Sequence, residues 1–248
     1  MDTSFYAAAQ AAISQQQKMN VISNNIANLN TTGFKAKNAV FYDLLNYNLR
    51  DLPETQTALQ AGSGVTVGRT DTDFSSGTIE NTGIRTQYAI SGRGFFMLQD
   101  PVTDEITYTR DGTFSWSLNP DGLFYLVTDG QLRVLDEAQN PITVTPEILQ
   151  GLTETVGETA EWADPGIFEF PIEWGIQNAG YNTFIPSAPN GETQLSQDAK
   201  LLQGYLEQSN VDLANEMAKT VEASRAYSYV LKMIQTADEV EQTINSLR

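Results

Sequence analysis

The sequence predicts an α+β chain: paired N- and C-terminal coiled-coil helices plus a β-rich, hairpin-built central domain. Three observations predict it. At both ends, apolar residues recur at alternating spacings of three and four, the period of a heptad seam. Between about 65 and 195, Gly, Pro, Asn and Asp clusters interrupt short runs rich in Val, Ile, Thr, Tyr and Phe about every 8–12 residues, as in β-hairpins. Charge separates the same regions: residues 1–38 sum to +2 and residues 205–248 to −3, leaving −16 of the net −17 in the middle. The expected division is a terminal helical domain over 1–35 and 208–248, connectors over 36–75 and 195–207, and a β-rich domain over 76–194.

The N-terminal seam reads Phe5, Ala8, Ala12, Gln15, Met19, Ile22, Ile26 and Leu29, with Gln15 its one polar member. The helix is expected to stop at Gly33, because a glycine just past the last turn adopts the left-handed conformation cheaply. Phe34 would then pack back on Leu29, the contact that accompanies a Schellman cap. The C-terminal seam reads Ala223, Ala226, Val230, Met233, Ala237, Val240, Ile244 and Leu247, with no Gly after Gly204 and no Pro after Pro189 to break it. Ser209 or Asn210 is the expected N-cap, with Asp212 and Glu216 favouring the positive end of the helix. Two such stripes pack as an intramolecular hairpin, or they also pack against other copies. Their many alanines allow close approach but bury little area per contact, so one pair alone would be weakly held.

In the middle, "YAISGRGFFMLQD" reads strand, turn, strand. "ITYTRDGTFSWSLNPDGLFYLVTDGQLRVLD" reads as successive hairpins with Asp111-Gly112, Asp121-Gly122 and Asp129-Gly130 as turn pairs. Within it Phe114, Trp116 and Leu118 alternate with Thr113, Ser115 and Ser117, as in a half-buried strand. Residues 151–166 read as an acidic surface loop or an irregular excursion. "DLPETQTALQAGSG" reads as loop, and 39–49 as an extension of either a helix or a strand.

Composition narrows the chemistry. The 248 residues include no cysteine and no histidine. Disulfides, thiolates, imidazole bases and histidine–metal sites are excluded, and with them Ser-His-Asp, Cys-His and histidine–zinc mechanisms. Asp104/Glu105 and Glu169/Glu173 are conceivable acid–base pairs, but such carboxylates are ordinarily solvated surface. "SGRGFF" lacks the third glycine and the following helix of a dinucleotide loop, and "SLNPDG" has too few acidic oxygens for a calcium loop. No catalytic residue, metal ligand or cofactor site is assigned. A net charge of −17 argues against nucleic acid as a partner. No apolar run approaches the length of a transmembrane segment, and "MDTSFYAAAQ" lacks the basic n-region of a secretory signal peptide.

"SNNIANLNTTGFK", then "SGRGFF" with "YTRDGTFSWSLNPDGLFYLVTDG", then the C-terminal block from "LLQGYLEQSNVDLANEM" to the end resemble the bacterial flagellar hook–basal-body rod proteins. Within that family the motifs are nearest the distal rod protein, with the proximal rod protein second. The resemblance implies a structural subunit of a helical tube that transmits torque and conducts exported subunits. It implies terminal helices lining the tube and a β domain facing outward. Other rod and hook proteins would be neighbours. Location in the basal body, within the periplasm and cell wall, and export by the flagellar type III apparatus without a cleaved signal peptide are also implied. The alternatives are a hook or hook-associated axial protein and, in another class, a carboxylate-dependent glycan-binding or glycan-cleaving β domain with helical ends.

One stretch asks for a specific explanation. "ISNNIANLNTTGFK" carries four asparagines in a helical pattern, each costing roughly 0.6 kcal/mol against alanine. A self-assembly interface would use them, since identical amides on adjacent copies can donate to and accept from one another. The expected interface is Met19, Ile22, Asn24, Asn25, Ile26, Asn28 and Leu29 from the first helix. Val230, Met233, Ala237, Val240, Ile244 and Leu247 come from the last, with Gly33 and Phe34 as the structural turn.

Overall fold

The computed structural model describes residues 3–44, 47–48, 60–62, 64–146, 162–172, 175–187, 190–196 and 198–247. Among the described residues, a long helix at each end and a β-rich middle make it α+β. It divides into two compact units. The first comprises Met1–Ala27, Lys37–Asp73 and Asp212–Arg248; the second comprises Asn28–Ala36 and Phe74–Val211. This division differs from the sequence boundaries. The stretch 28–35 goes with the β unit, and most of the supposed connector 36–75 belongs with the helices.

In the helical unit, the N-terminal helix Thr3–Ala27 and the C-terminal helix Leu213–Ser246 lie side by side. Lys18 Nζ sits 3.7 Å from a Glu222 carboxylate oxygen, and Asn25 Nδ2 donates to Glu216 at 3.1 Å. A later residue of one helix meets an earlier residue of the other, so they run antiparallel. Ala8 and Ala223 are buried, which fits the close approach that small residues permit. The N-cap is Asp212, whose carboxylate accepts from Ala214 N–H at 3.0 Å. This corrects the expected Ser209 or Asn210. Asn210 is occupied elsewhere: its Oδ1 accepts from Ala36 N–H at 2.7 Å and its Nδ2 donates to Ser75 O at 3.1 Å.

The stretch 39–49 resolves toward strand. Lys37–Asp43 pairs antiparallel with Val65–Thr72, with a bulge at Val40/Phe41. Gly68 sits at that bulge because the Tyr42 ring lies across it; an added Cβ would fall 1.7 Å from the ring. Ser14, buried in the N-terminal helix, holds the hairpin by donating to Val65 O at 2.9 Å. Residues 51–59 lie outside the described residues, as do 147–161, which hold most of the expected acidic loop.

The β unit is built on an antiparallel sheet whose order runs 143–144, 124–127, 133–134, 95–99, 106–109, 183–185, 177–180. The strand Phe95–Gln99 is its centre. Phe96 and Leu98 enter one buried cluster with Tyr88, Phe114, Leu126 and Trp162. Phe95 and Met97 enter another with Tyr108, Phe168, Phe170 and Phe184. Period-2 alternation therefore puts apolar residues on both faces, and "FFML" reads as an unbroken apolar run for that reason. Asp121-Gly122 and Asp129-Gly130 lie in turns as expected, with Gly122 at φ 77°. Asp111-Gly112 is not a hairpin turn. Gly112 accepts Tyr88 N–H through its carbonyl at 3.1 Å, and a Cβ there would fall 1.6 Å from Tyr88 O. Its glycine permits close backbone approach. Leu118 is exposed, so the alternation from Phe114 ends one residue pair early.

Tyr88 gives the unit a pH dependence. Its ring is fully buried, and its hydroxyl accepts from Trp162 Nε1 at 2.8 Å and from Gln203 Nε2 at 3.1 Å. Burial raises its pKa above the ordinary value of 10.0, and the two donors offset this only in part. Burial also raises the pKa of Tyr108. A folded-state pKa above the unfolded value contributes stability below about pH 10 that is lost as pH rises through the folded value. Urea midpoints followed from pH 7 to 11 should therefore fall above pH 10. Tyr88→Phe should flatten that fall without abolishing it. It should also cost about 1–3 kcal/mol at pH 7 by stranding two buried donors.

Candidate self-assembly interface

The N-terminal helix ends at Ala27, not at Gly33. Residues 28–33 form turns, with Thr31 N–H donating to Asn28 O. Gly33 does adopt a left-handed φ of 64°, but its N–H reaches the carbonyl of Glu207 at 2.8 Å and makes no Schellman bond. The glycine is required by space as well as by φ: a Cβ would lie 2.5 Å from Asp111 N and 2.6 Å from Arg110 C. Gly33→Ala should thus cost about 3 kcal/mol or more, from positive φ plus backbone displacement. A urea midpoint equal to the parent's would contradict this. Phe34 is buried in the β unit.

Next to Gly33 lies a buried ionic cluster that sequence reasoning missed. Lys35 Nζ donates to Glu207 Oε1 at 2.6 Å and to Ser75 O at 2.8 Å. Arg110 Nη1 reaches Glu207 Oε2 at 3.2 Å, its Nη2 donates to Gly92 O at 2.9 Å, and its guanidinium lies over Phe95. Gly77 N–H also donates to Glu207 Oε1, at 2.8 Å. The Lys35 and Glu207 side chains are fully buried. Charges this deep are retained only when paired and hydrogen-bonded. The one sequence signal is Lys35, which closes the charge-free stretch 19–34; Arg110, next to Asp111, looks like an ordinary locally paired cation.

In the helical unit, Asn25 has a definite role. It is 1% exposed. Its Nδ2 donates to Lys37 O at 2.8 Å, and its Oδ1 accepts from Lys37 N–H at 2.9 Å. The same Nδ2 reaches Glu216, which also takes Lys219 Nζ at 2.6 Å. One amide thus ties the end of the first helix to the start of the hairpin and to the first turn of the last helix. Ile22 is buried beside it. Among the other expected interface residues, Asn24 is exposed, while Met19, Ile26, Asn28 and Leu29 are half-buried. Asn28 Oδ1 accepts from Thr31 Oγ1 at 3.1 Å.

The last helix outruns the first. From the Lys18–Glu222 and Asn25–Glu216 pairs, Thr3 falls level with about residue 237. Val230 and Ala237 are half-buried. Beyond that level the seam is bare: Val240 is 58%, Ile244 61% and Leu247 83% exposed, and Met233 is also open. The postulated acid pairs hold no comparable arrangement. Asp104 and Glu105 sit in an exposed turn, Glu169 accepts from Ser196, and Glu173 lies outside the described residues. Among the described residues no group of acidic side chains is placed to hold a metal ion, and no helix is long and apolar enough to cross a membrane.

Three family matches cover the same regions in order. Residues 5–35 match the family described as "Flagella basal body rod protein". Residues 89–156 match "Flagellar hook protein FlgE/F/G D1 domain", and residues 202–247 match "Flagellar basal body rod FlgEFG protein C-terminal". The chain is 33% identical to the flagellar basal-body rod protein FlgG of Borreliella burgdorferi over 100% of its own length and 99% of that protein. It belongs to the flagellar basal-body rod protein family. Caulobacter vibrioides FlgG is 33% identical over 97% of each chain, and the rod protein FlgF of the same organism 30% identical over 98% and 96%. As a rod protein it is a structural subunit of the flagellar basal body, not an enzyme. The rod motifs include both Asn25 and the Gly33–Lys35 turn, and the C-terminal match includes their partners Glu207 and Glu216.

Proposed function

We propose that the chain self-assembles through its terminal helices into the helical tube of the rod, which transmits torque and conducts exported subunits. The observation that carries this reading is the bare seam at Val240, Ile244 and Leu247, which lies past the level of Thr3 in the first helix. Met233, Val240, Ile244 and Leu247 meet neighbouring copies, with Met19, Asn24, Ile26, Asn28, Leu29, Val230 and Ala237 at the margins of the contact. There the helices complete a coiled coil. Asn25 and Ile22, being spent inside the unit, set the angle at which the seam is presented. The β domain faces outward within the periplasm and cell wall, other rod and hook proteins flank the array, and the chain arrives through the type III export apparatus with its N-terminus intact.

The chain has no cysteine, so a single Ile244→Cys substitution reports only contacts between molecules. A short bifunctional thiol crosslinker applied to basal bodies carrying it should give covalent dimers of the chain. Monomer alone, at full incorporation, would refute the helical contact.

A further inference from the structure

The two longest charge-free stretches of the chain are residues 174–191 and 19–34. They meet in the β unit: Asn182 Nδ2 donates to Thr32 O at 2.8 Å. Asn182 also accepts from Thr109 Oγ1 through its carbonyl at 2.9 Å, and Thr183 Oγ1 donates to Gly180 O at 2.7 Å. The hairpin formed by Gln177–Gly180 and Thr183–Ile185 is therefore pinned at its tip. The tip is Tyr181-Asn182, with φ of 47° and 59°, the paired positive angles of a type I′ turn. Gly, Asn and Asp accept the first of these positions cheaply; a tyrosine does so at a cost. This one is also 94% exposed, so no burial within the unit repays that cost. A strained aromatic on a pinned turn, its ring in open solvent, is a mark of function, and tyrosine is among the residues that dominate contact energies.

We infer that the Tyr181 hairpin tip, with Asn30 and Thr31 of the adjoining turn, is a second contact surface, and that its occupant is another copy of this chain. Charge selects the occupant. Each copy carries a net −17, so identical chains repel one another wherever their acids face. The hairpin tip and the 28–33 turn carry no charged side chain of their own, and Asp111 beside the turn already accepts from Thr32 Oγ1 at 2.8 Å, so two copies can touch there with less of that penalty. A basic partner would find no acid on the hairpin itself to draw it there. The hairpin also avoids open-ended strand pairing. Its edge strand carries an irregularity between Asn178 and Gly180, with Gly180 N–H turned onto the Asn178 side chain at 2.9 Å. The contact is thus made by side chains, with the aromatic ring as its anchor.

The inference rests on the self-assembly reading above, and the test separates the two. The photocrosslinking residue p-benzoylphenylalanine is placed at position 181, at 240, or at the exposed Val102 as a control, in full-length chains assembled in cells. The expected result is crosslinking between copies from 181 and from 240, and none from 102. Crosslinking from 240 alone overturns the Tyr181 surface and leaves the helical contact standing. No crosslink between copies from either position overturns both, and capture of a different protein from 181 overturns the choice of occupant. Tyr181→Asn tests the same surface without endangering the fold, because asparagine is at ease at positive φ. Its thermal transition should be unchanged or higher, while its incorporation into rods in competition with the parent chain should fall at least tenfold. Equal incorporation would overturn the proposal.

Discussion

Glu207→Gln is expected to cost the β unit about 3–5 kcal/mol, the range for removing one partner of a buried ion pair. The amide still fills the space and still offers an oxygen to Lys35 or Gly77. It no longer offsets the charges of Lys35 and Arg110, which the fold holds at 0% and 2% side-chain exposure. Its NH2 group also faces donors where the carboxylate had presented only acceptors. Against a typical total of 5–15 kcal/mol, this is a large fraction. Urea unfolding followed by Trp162 fluorescence should show it, as should a fall in the melting temperature on the order of 10 °C. Glu207→Asp keeps the charge but shortens the reach, and should recover part of the loss. A Gln variant as stable as the parent would mean that the cluster is solvated in solution.

Val240→Asp is expected to have the opposite profile, with no cost to the isolated chain and a large one to the assembly. Val240 is already more than half exposed and lies past the level of Thr3 in the first helix. In the free protein the new carboxylate sits in water. In a dry contact between helices it is buried without a partner or neutralised, at several kcal/mol per copy. The thermal transition should match the parent's, the protein should still be secreted, and purified rods should lack it, leaving cells non-motile. Motile cells with the variant in their rods would show that this seam does not hold the tube together. A lowered transition would place Val240 in the folding core of the single chain.

How much of this was legible depended on the range of the interactions. The heptad spacing located both helices, because amphipathic periodicity is written locally. It could not show that the last helix outruns the first, since that follows from the stagger between them. Runs such as "FFML" and turn pairs such as Asp121-Gly122 located strands and hairpins for the same local reason. Asp111-Gly112 has the same turn composition and serves another purpose, because what requires its glycine is Tyr88, far along the chain. The neighbours of Gly33 suggest a helix cap, whereas the glycine is fitted against Arg110 and Asp111. The partners of Asn25 and Glu207 are illegible on the same grounds: Lys37, Glu216, Lys35 and Arg110 define their roles, and no local pattern joins those residues. The terminal seam was legible as apolar, but its bareness was visible only once the first helix had been placed.

The Lys35–Glu207 pair joins residues 172 positions apart, and Arg110 is brought to the same carboxylate across 97. Pairing at such separation is slow to form, because chain closure has to be reached before the contact rewards it. A growing chain therefore gathers most of its hairpins long before it possesses the one carboxylate that seats both cations. Until residue 207 has been made, the β unit has two positive side chains that belong in its interior and no Glu207 anion to receive them there. A chain cut short upstream of 207 is therefore expected to leave Lys35 and Arg110 without their shared carboxylate, and the β unit less stable for it.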